Sequence, residues 1–258
     1  MIDQVQLKQQ ASELKLHGLL EHWHEITDEQ QPVLAQWLGW EQTTRKQRSL
    51  ERRLSSAKLG RFKPLTEFDW QWPNKIDQPC VHQWMQLDFL VENMNPIIIG
   101  SNGVGKSTIA QNIGYQAVMQ GHTVIFTSAA NMLNELAAQD GDNALRRRLA
   151  HYAKPTLLII DEVGYLSYSN RHADLLFEII NRRYEKNATI VTTNRPFSEW
   201  NEVFPNAACV VSLIDRLVHH SEVLAIEGDS YRMKEAKEQA SKRRINKTGK
   251  RSNKREVK

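Results

Sequence analysis

The pattern of apolar and polar positions changes near residue 96. Before it, apolar residues recur every three or four positions over residues 4–24 and again after Pro32, which predicts two amphipathic helices. After it, short apolar runs alternate with helical segments. The runs span residues 97–99, 123–126, 157–160, 189–192 and 223–226. Such runs are typical of strands buried on both faces, so we expect an α/β fold with a parallel five-stranded sheet sandwiched by helices.

These patterns divide the chain into four regions. We expect a small N-terminal helical domain at residues 1–60, which would bind DNA or a partner, and a linker at residues 61–75. The α/β domain should cover residues 76–232, and a basic tail should follow at residues 233–258. Because the tail has almost no apolar residues, we expect it to be disordered in isolation.

Charge is distributed unevenly along the chain. Residues 232–258 contain twelve Lys or Arg against three Glu, and residues 45–63 contain eight basic residues with Glu51 as the counter-charge. The net charge of +4 alone says little about partners. Clusters of this kind suit a nucleic-acid backbone, although a solvated charged face explains each of them equally well.

Cysteine and histidine positions argue against structural metal or disulfides. Cys80 and Cys209 stand far apart and outside any CxxC pair. His219, His220 and the N-terminal histidines do not converge on one helical face, so we expect surface or packing positions. The N-terminus lacks a signal-peptide core, and no apolar run approaches the roughly 20 residues that span a bilayer. We therefore expect a soluble cytoplasmic protein without membrane association.

One segment matches the phosphate-binding pattern G-x-x-x-x-G-K-[ST] in full, between a strand run and a helical pattern. It consists of Gly100, Ser101, Asn102, Gly103, Val104, Gly105, Lys106 and Ser107, with Thr108 next in the helix. Glycines let backbone N–H groups face the phosphates, and the helix N-terminus adds its positive dipole end. We expect Lys106 to bind the β- and γ-phosphates of ATP and the Ser107 hydroxyl to ligate Mg²⁺.

Polar residues follow two further strand runs. Asp161 and Glu162 end one run, where Asp161 would hold Mg²⁺ through water and Glu162 would polarise the attacking water. Taken alone, such a pair is more often a helix cap, but the upstream phosphate loop favours catalysis. Asn194 ends the next run and either contacts the γ-phosphate or attacking water, or caps the turn before Pro196. These two alternatives stay open on spacing alone.

Arg216 lies on a predicted helix in the segment LIDRL. It would either act on the nucleotide of a neighbouring subunit or form a local salt bridge with Asp215 or Glu222. The spacing of these residues leaves both readings open.

Three segments, LLIIDEVGYL, RRYEKNATIVTTNRPFSEW and SLIDRLVHHSEVLAIEGDSYR, resemble the IstB-type transposition helper ATPases. These are P-loop AAA+ proteins similar to the DnaC-type helicase loaders, and the likeness runs to about residue 236. The resemblance implies that the Asn194 strand lies between those of Lys106 and Asp161, and that Arg216 acts in trans as an arginine finger. It also implies no lid domain, which leaves the second-sensor role of Arg232 open. The loop GSNGVGKST departs from relatives that often have a Pro and a Thr, but Ser107 still supplies the hydroxyl.

The same resemblance implies a function. Family members hydrolyse ATP, form ATP-dependent homo-oligomers on duplex DNA, and recruit and stimulate a partner transposase. A helicase loader acting on single-stranded DNA and a replicative helicase would use the same nucleotide site. A small-molecule kinase fits poorly, because the acidic pair, Asn194 and the basic clusters suit water as acceptor and DNA as partner.

Three regions are candidates for contact with DNA phosphates. On the first basic cluster, Arg45, Arg48 and Arg52 share one helical face, and Lys58 follows them. The second is the loop after the acidic pair, which in the resembling loaders faces DNA. It contains Tyr168, Ser169 and Arg171. The third is the run Arg146, Arg147 and Arg148.

Overall fold

The computed structural model describes residues 4–165, 168–204 and 207–239. Contacts divide the chain into two compact units, residues 1–55 and 56–258. The sequence pattern predicted the end of the N-terminal helical domain at residue 60. No helix in the described part of the chain combines the length and the apolar character needed to cross a bilayer.

The first unit is helical. It contains α1 (Gln4–Glu13), α2 (His17–Glu21) and most of α3 (Gln31–Ala57), around a core of Leu7, Ala11, Leu14, Trp23 and Leu38. The single helix predicted over residues 4–24 was wrong, because α1 ends at Glu13 and Lys15 adopts a φ of 55°. A left-handed residue cannot continue an α-helix, so the chain turns there.

The second unit is built on a five-stranded parallel sheet in the order β2-β3-β4-β1-β5. The strands are β1 (Asn95–Gly100), β2 (Val124–Ser128), β3 (Leu157–Val163), β4 (Ala188–Thr193) and β5 (Ser221–Ile226). The predicted fold is confirmed, and β4 lies between β1 and β3. The carboxyl ends of these three central strands therefore carry the phosphate loop, the acidic pair and Asn194 to one edge of the sheet.

Helices connect the strands and bury their apolar faces against the sheet. They are α4 (Gln78–Trp84), α5 (Lys106–Met119), α6 (Ala129–Ala137), α7 (Asp142–Ala153), α8 (Asn170–Arg183), α9 (Trp200–Val203) and α10 (Ala207–His219). The largest core cluster joins β3 and β4 to α6, α8 and α10, with Trp200 and Phe204 among its buried aromatic side chains.

Two predicted boundaries differ from the structure. Residues 61–75, predicted as a linker, belong to the second unit, where Lys75 forms an antiparallel bridge with Glu227. Proline and asparagine correctly signalled irregular backbone there, but the aromatic side chains of the segment pack on the rest of the unit. Residues 231–239 are helical, so this helix extends past the predicted start of the tail at residue 233. The tail from residue 240 lies outside the described residues.

An arginine is buried at the amino end of the sheet. Arg183, the last residue of α8, is 1% exposed and donates to the backbone carbonyls of Tyr152, Pro155 and Ala188. Burial lowers the pKa of its guanidinium to about 9. Because its carbonyl acceptors lie at the end of α7, before β3 and in β4, Arg183 ties these elements together.

Candidate nucleotide-binding site

The phosphate loop joins β1 to α5 and depends on glycine at two positions. Gly103 and Gly105 have φ values of 81° and 105°, which side-chain-bearing residues rarely adopt. A Cβ atom at Gly105 would clash with the ring of Phe68, and one at Gly103 would clash with the side chain of Ser230. The loop is therefore closely covered by two segments that are distant in sequence.

Lys106 is buried and its ammonium group is fully engaged. Nζ donates to the carbonyls of Gly100 (2.7 Å) and Ser101 (2.8 Å) and to the hydroxyl of Tyr165 (3.2 Å). An ammonium group has three N–H donors, so each donor already has an acceptor. Burial lowers the pKa of Lys106 to about 8, with a smaller contribution in the same direction from the charge of Arg232. A bound phosphate must therefore displace one of these three acceptors from Lys106. Of the three, the Tyr165 hydroxyl is the one that belongs to a side chain.

Oxygen atoms suited to Mg²⁺ converge beside Lys106. The Ser107 hydroxyl donates to Oδ1 of Asp161 at 2.9 Å, and the Thr192 hydroxyl donates to the same oxygen. A serine hydroxyl and a carboxylate are hard ligands of the kind that Mg²⁺ accepts together with waters and phosphate oxygens. The residues present therefore fit the metal, and Ser107 and Asp161 are the residues that would hold it.

Thr192 is a site residue that the sequence analysis missed. Besides its bond to Asp161, its Oγ1 accepts from the backbone N–H of Glu162 at 3.0 Å. It is fully buried in β4, opposite the end of β3. Thr192 thus positions both acidic residues. The signal for it was present in the run Thr192-Thr193-Asn194, of which only the asparagine was assigned a role.

Glu162 lies where the pairing of β3 with β4 is interrupted. The register shifts between Ile160 and Val163, and Glu162 has a φ of 61°. A non-glycine residue in this region is strained by roughly 1–3 kcal/mol, and such strain is common at functional sites. Burial, followed by the charges of Glu162 and Asp161, raises the pKa of Tyr165 to about 12. Glu162, at this interruption of the strand pairing, therefore acts by its charge on both Tyr165 and Lys106.

Asn194 has a buried side-chain oxygen, Oδ1, that accepts no hydrogen bond within the described part of the chain. An unsatisfied buried acceptor costs about 1–3 kcal/mol, so a native structure rarely keeps one without a reason. The turn before Pro196 is capped instead by Thr193, whose Oγ1 accepts from the backbone N–H of Arg195 at 3.1 Å. Thr193 therefore caps this turn, which was the alternative role considered for Asn194.

A cavity of about 450 Å³ opens beside the phosphate loop. Its walls include Phe62, Phe68, Trp72 and Tyr231, together with Tyr165 and Arg232. Two ion pairs, Lys63 with Glu235 and Lys234 with Asp69 (2.9 Å), join the 61–75 segment to the 231–239 helix across it. The size and the aromatic lining suit a nucleoside. The sequence signal for this wall was the aromatic run at residues 68–72, which was predicted to lie in a linker.

Arg216 lies elsewhere on the second unit. It stacks over Phe177 (4.7 Å) and Tyr184 (5.9 Å) and donates to Oδ1 of Asn181. It lies within one turn of the end of α10, which leads to the amino end of β5, whereas the phosphate loop follows the carboxyl end of β1. The expected alternative partner Glu222 accepts instead from Trp84 Nε1 at 2.6 Å. The structure therefore does not bring Arg216 to the phosphate loop of its own chain.

The candidate DNA contacts of the first basic cluster lie in different surroundings. Arg45 is half-exposed, contacts Glu41 and the carbonyl of Leu14, and also lines the open groove, so its contact with DNA stays a prediction. Arg48 and Arg52 line an open groove together with Lys15. Lys15 was not predicted as a DNA contact, because it was placed inside the helix expected over residues 4–24. Lys58, with a φ of 52°, follows α3 and belongs to the second unit.

The loop after the acidic pair was predicted to present Tyr168, Ser169 and Arg171, and the structure leaves Ser169 and Arg171 exposed and Tyr168 buried. Tyr168 is 7% exposed and stacks on Phe204 at 4.7 Å. Ser169 caps α8, its Oγ accepting from the N–H of His172. Arg171 is exposed and donates to the carbonyl of Gln139, so it remains available at the surface.

Of the third candidate region, Arg148 forms an ion pair with Glu135 and lies over the ring of Tyr152. This arginine therefore serves the packing of α7 on α6.

Solved structures with this fold include a crystal structure of DnaI, with a TM-score of 0.54 and 18% identity over 63% of this chain and 90% of that one. A structure of the replication initiator DnaA bound to AMPPCP and single-stranded DNA has a TM-score of 0.51 and 20% identity, over 68% of this chain and 56% of that one. At these identities the likeness shows the fold alone, a parallel α/β sheet with a phosphate loop.

Sequence relatives are closer. A protein of Pseudomonas aeruginosa, named for ATP binding in insertion sequence IS21, is 36% identical over 229 residues, 89% of this chain and 86% of the relative. Its counterpart in insertion sequence IS232 of Bacillus thuringiensis subsp. berliner is 38% identical over 184 residues, 70% and 74% of the two chains. The model of the IstB-like ATP binding proteins matches residues 9–240. With the phosphate loop, the acidic pair and the sheet order in agreement, the chain belongs to the family of IstB-like ATP-binding proteins.

Proposed function

We propose that this protein hydrolyses ATP with Mg²⁺, oligomerises on duplex DNA in the ATP-bound state, and recruits and stimulates a partner transposase. The observation that carries the hydrolytic part is the convergence of Lys106, Ser107, Asp161 and Glu162 at one edge of the sheet, followed in the next strand by Asn194. Relatives named after insertion sequences support the transposition context.

In the proposed reaction, Lys106 binds the phosphates. Ser107 and Asp161 would hold Mg²⁺, which when bound would neutralise charge on the transferred phosphate. Glu162 orients the attacking water and accepts its proton. Asn194 accepts from the same water through its unsatisfied Oδ1, or donates to the γ-phosphate through its side-chain Nδ2. Thr192 keeps the Asp161 carboxylate and the Glu162 backbone in position through its two hydrogen bonds.

Arg216 supplies charge to the nucleotide of a neighbouring subunit in this proposal. Its position on α10, with partners on α8 and none of its described contacts at the phosphate loop, supports action in trans. An arginine that stabilises the transferred phosphate contributes roughly 10³–10⁵ in rate. Hydrolysis would therefore require two copies of the chain, whereas Arg232 contributes to the nucleotide site within one copy.

DNA phosphates would bind the groove of the first unit that Lys15, Arg48 and Arg52 line. The lining also includes Arg45, the serines Ser49 and Ser55, and the acids Glu13 and Glu51. Cations in an open groove bind the backbone regardless of base sequence. Arg171 at the start of α8 would add a contact from the second unit.

The test measures ATP turnover with and without long duplex DNA, while sedimentation follows oligomer size. Lys106→Ala removes the phosphate ligand, and Arg216→Ala removes the trans arginine. We expect each variant to be inactive alone, and an equimolar mixture to recover activity because each supplies what the other lacks. Arg182→Ala, a change of the exposed ion pair with Glu178 on α8, is the matched control and should keep full activity.

Failure of the mixture to recover, with both variants folded, would exclude action of Arg216 in trans. Stimulation by single strands and not by duplex DNA would favour the helicase-loader function over the transposition helper.

A further inference from the structure

Two histidines and a glutamate converge on the surface at the amino end of the sheet, away from the phosphate loop. Among the described residues, Glu185, His219 and His220 each offer a ligand atom within 4.8 Å of the other two. Glu185 lies in the turn between α8 and β4, and the histidines lie where α10 passes into β5. Three potential metal ligands therefore come from two separate connections.

The adjacent histidines converge because the helix ends between them. On a helix, neighbours in sequence point about 100° apart, which is why sequence spacing predicted no shared ligand. Here α10 ends at His219, and the two ring centroids lie 4.2 Å apart. The backbones are anchored on both sides, since the His220 carbonyl accepts from the N–H of Asn95 at 2.7 Å and the Glu185 carbonyl accepts from Asn93 Nδ2 at 3.3 Å.

The separations suit a small tetrahedral ion. With zinc bonds of about 2.0–2.2 Å, ligand atoms of a tetrahedral site lie roughly 3.3–3.5 Å apart. Nε2 of His220 and Oε1 of Glu185 are already 3.5 Å apart. The hydroxyl of Tyr184 lies 2.8 Å from Nδ1 of His219, which gives this imidazole an outer hydrogen-bond partner of the kind that orients metal-binding histidines. All three residues are exposed, so water can complete the coordination.

We propose that Glu185, His219 and His220 form a surface site for a divalent transition-metal ion of the zinc class. The ion replaces the contact between His220 and Glu185 with two metal bonds and adds His219 as the third protein ligand. Carboxylate with two imidazoles is a donor set that zinc accepts in proteins, with a water in the fourth position.

The site is connected to Arg216 through Tyr184. This side chain contacts His219 through its hydroxyl and lies 5.9 Å from the guanidinium of Arg216. Fixing His219 on a metal restrains Tyr184, and with it the surface on which Arg216 lies. This consequence rests on the proposed function of Arg216, whereas metal binding itself does not.

Calorimetric titration of the full chain with Zn²⁺, without nucleotide, tests the site. We expect His220→Ala and Glu185→Gln to weaken binding by roughly tenfold or more. His24→Ala is the matched control, because His24 is an exposed histidine that stacks on His22 beside Glu25, and these residues form no comparable cluster. Equal Zn²⁺ affinity of wild type and His220→Ala, or an equal loss in His24→Ala, would overturn the proposal.

ATP turnover in excess Mg²⁺ tests the connection to Arg216. Stoichiometric Zn²⁺ should change turnover of the wild type and leave His220→Ala unaffected, which separates this site from zinc at the phosphate loop. If both proteins respond equally, the connection is wrong. Failure of the Lys106→Ala and Arg216→Ala mixture would contradict the trans arginine and leave the zinc titration unchanged.

Discussion

Tyr165 occupies one donor of the phosphate-loop lysine, and its hydroxyl should therefore compete with nucleotide. Phenylalanine at this position removes the hydroxyl and keeps the ring, whose centroid lies 5.7 Å from Lys106 Nζ. The other two acceptors of Lys106 are backbone carbonyls of the loop itself and are unaffected. Tyr165→Phe should therefore raise affinity for ATP, because one fewer hydrogen bond must be broken when phosphate binds.

The size of the effect follows from the geometry. A hydrogen bond from a charged donor contributes about 1.5–3 kcal/mol, and a typical neutral one about 0.5–1.5 kcal/mol. At 3.2 Å the bond to Tyr165 lies at the long end of the normal range, so we take about 1 kcal/mol. This corresponds to roughly a fivefold lower Kd.

Calorimetric titration with a non-hydrolysable ATP analogue and Mg²⁺, without DNA, measures the change. Tyr115→Phe is the matched control, because Tyr115 is an exposed tyrosine on α5 that packs edgewise on Phe62. This control should leave affinity unchanged. Weaker binding by Tyr165→Phe would refute the reasoning, since it would mean that the hydroxyl contacts the nucleotide. An unchanged Kd would mean that the bond to Lys106 does not oppose binding.

The remaining predictions concern the two buried cations. The pKa of Lys106 is depressed from 10.5 to about 8, so ATP affinity should fall as pH rises through about 8, approaching tenfold per pH unit, and Lys106→Met should remove this dependence. A flat profile of the wild type would contradict the protonated lysine as the phosphate ligand. Arg183→Met should lower the free energy of unfolding in urea by at least about 3 kcal/mol, because several buried carbonyls lose their donor at about 1 kcal/mol or more each. Arg182→Met, on the same helix with an exposed ion pair, should lower it by under about 1 kcal/mol, and equal losses would argue against Arg183 as a tie between elements.

Local patterns were sufficient for the sheet and the phosphate site. The apolar runs predicted five buried strands, and the glycines with Lys106 and Ser107 predicted the phosphate loop. Both signals depend on residue types at short, regular spacing. Asp161 followed from its place at the end of a strand. The place of the Asn194 strand between those of Lys106 and Asp161 came from the family resemblance and was confirmed.

Contacts between distant segments decided the rest. The stacking of Tyr168 on Phe204, the hydrogen bond from Arg45 to Leu14, and the packing of residues 61–75 on the phosphate loop each join positions far apart in sequence. Periodicity cannot report such partners, since it records which face of an element is apolar and not what lies against it. Periodicity also failed to predict that His219 and His220 lie close enough to share a ligand. Spacing on one helix made them unrelated surface residues, whereas the end of α10 and the neighbouring turn bring both beside Glu185.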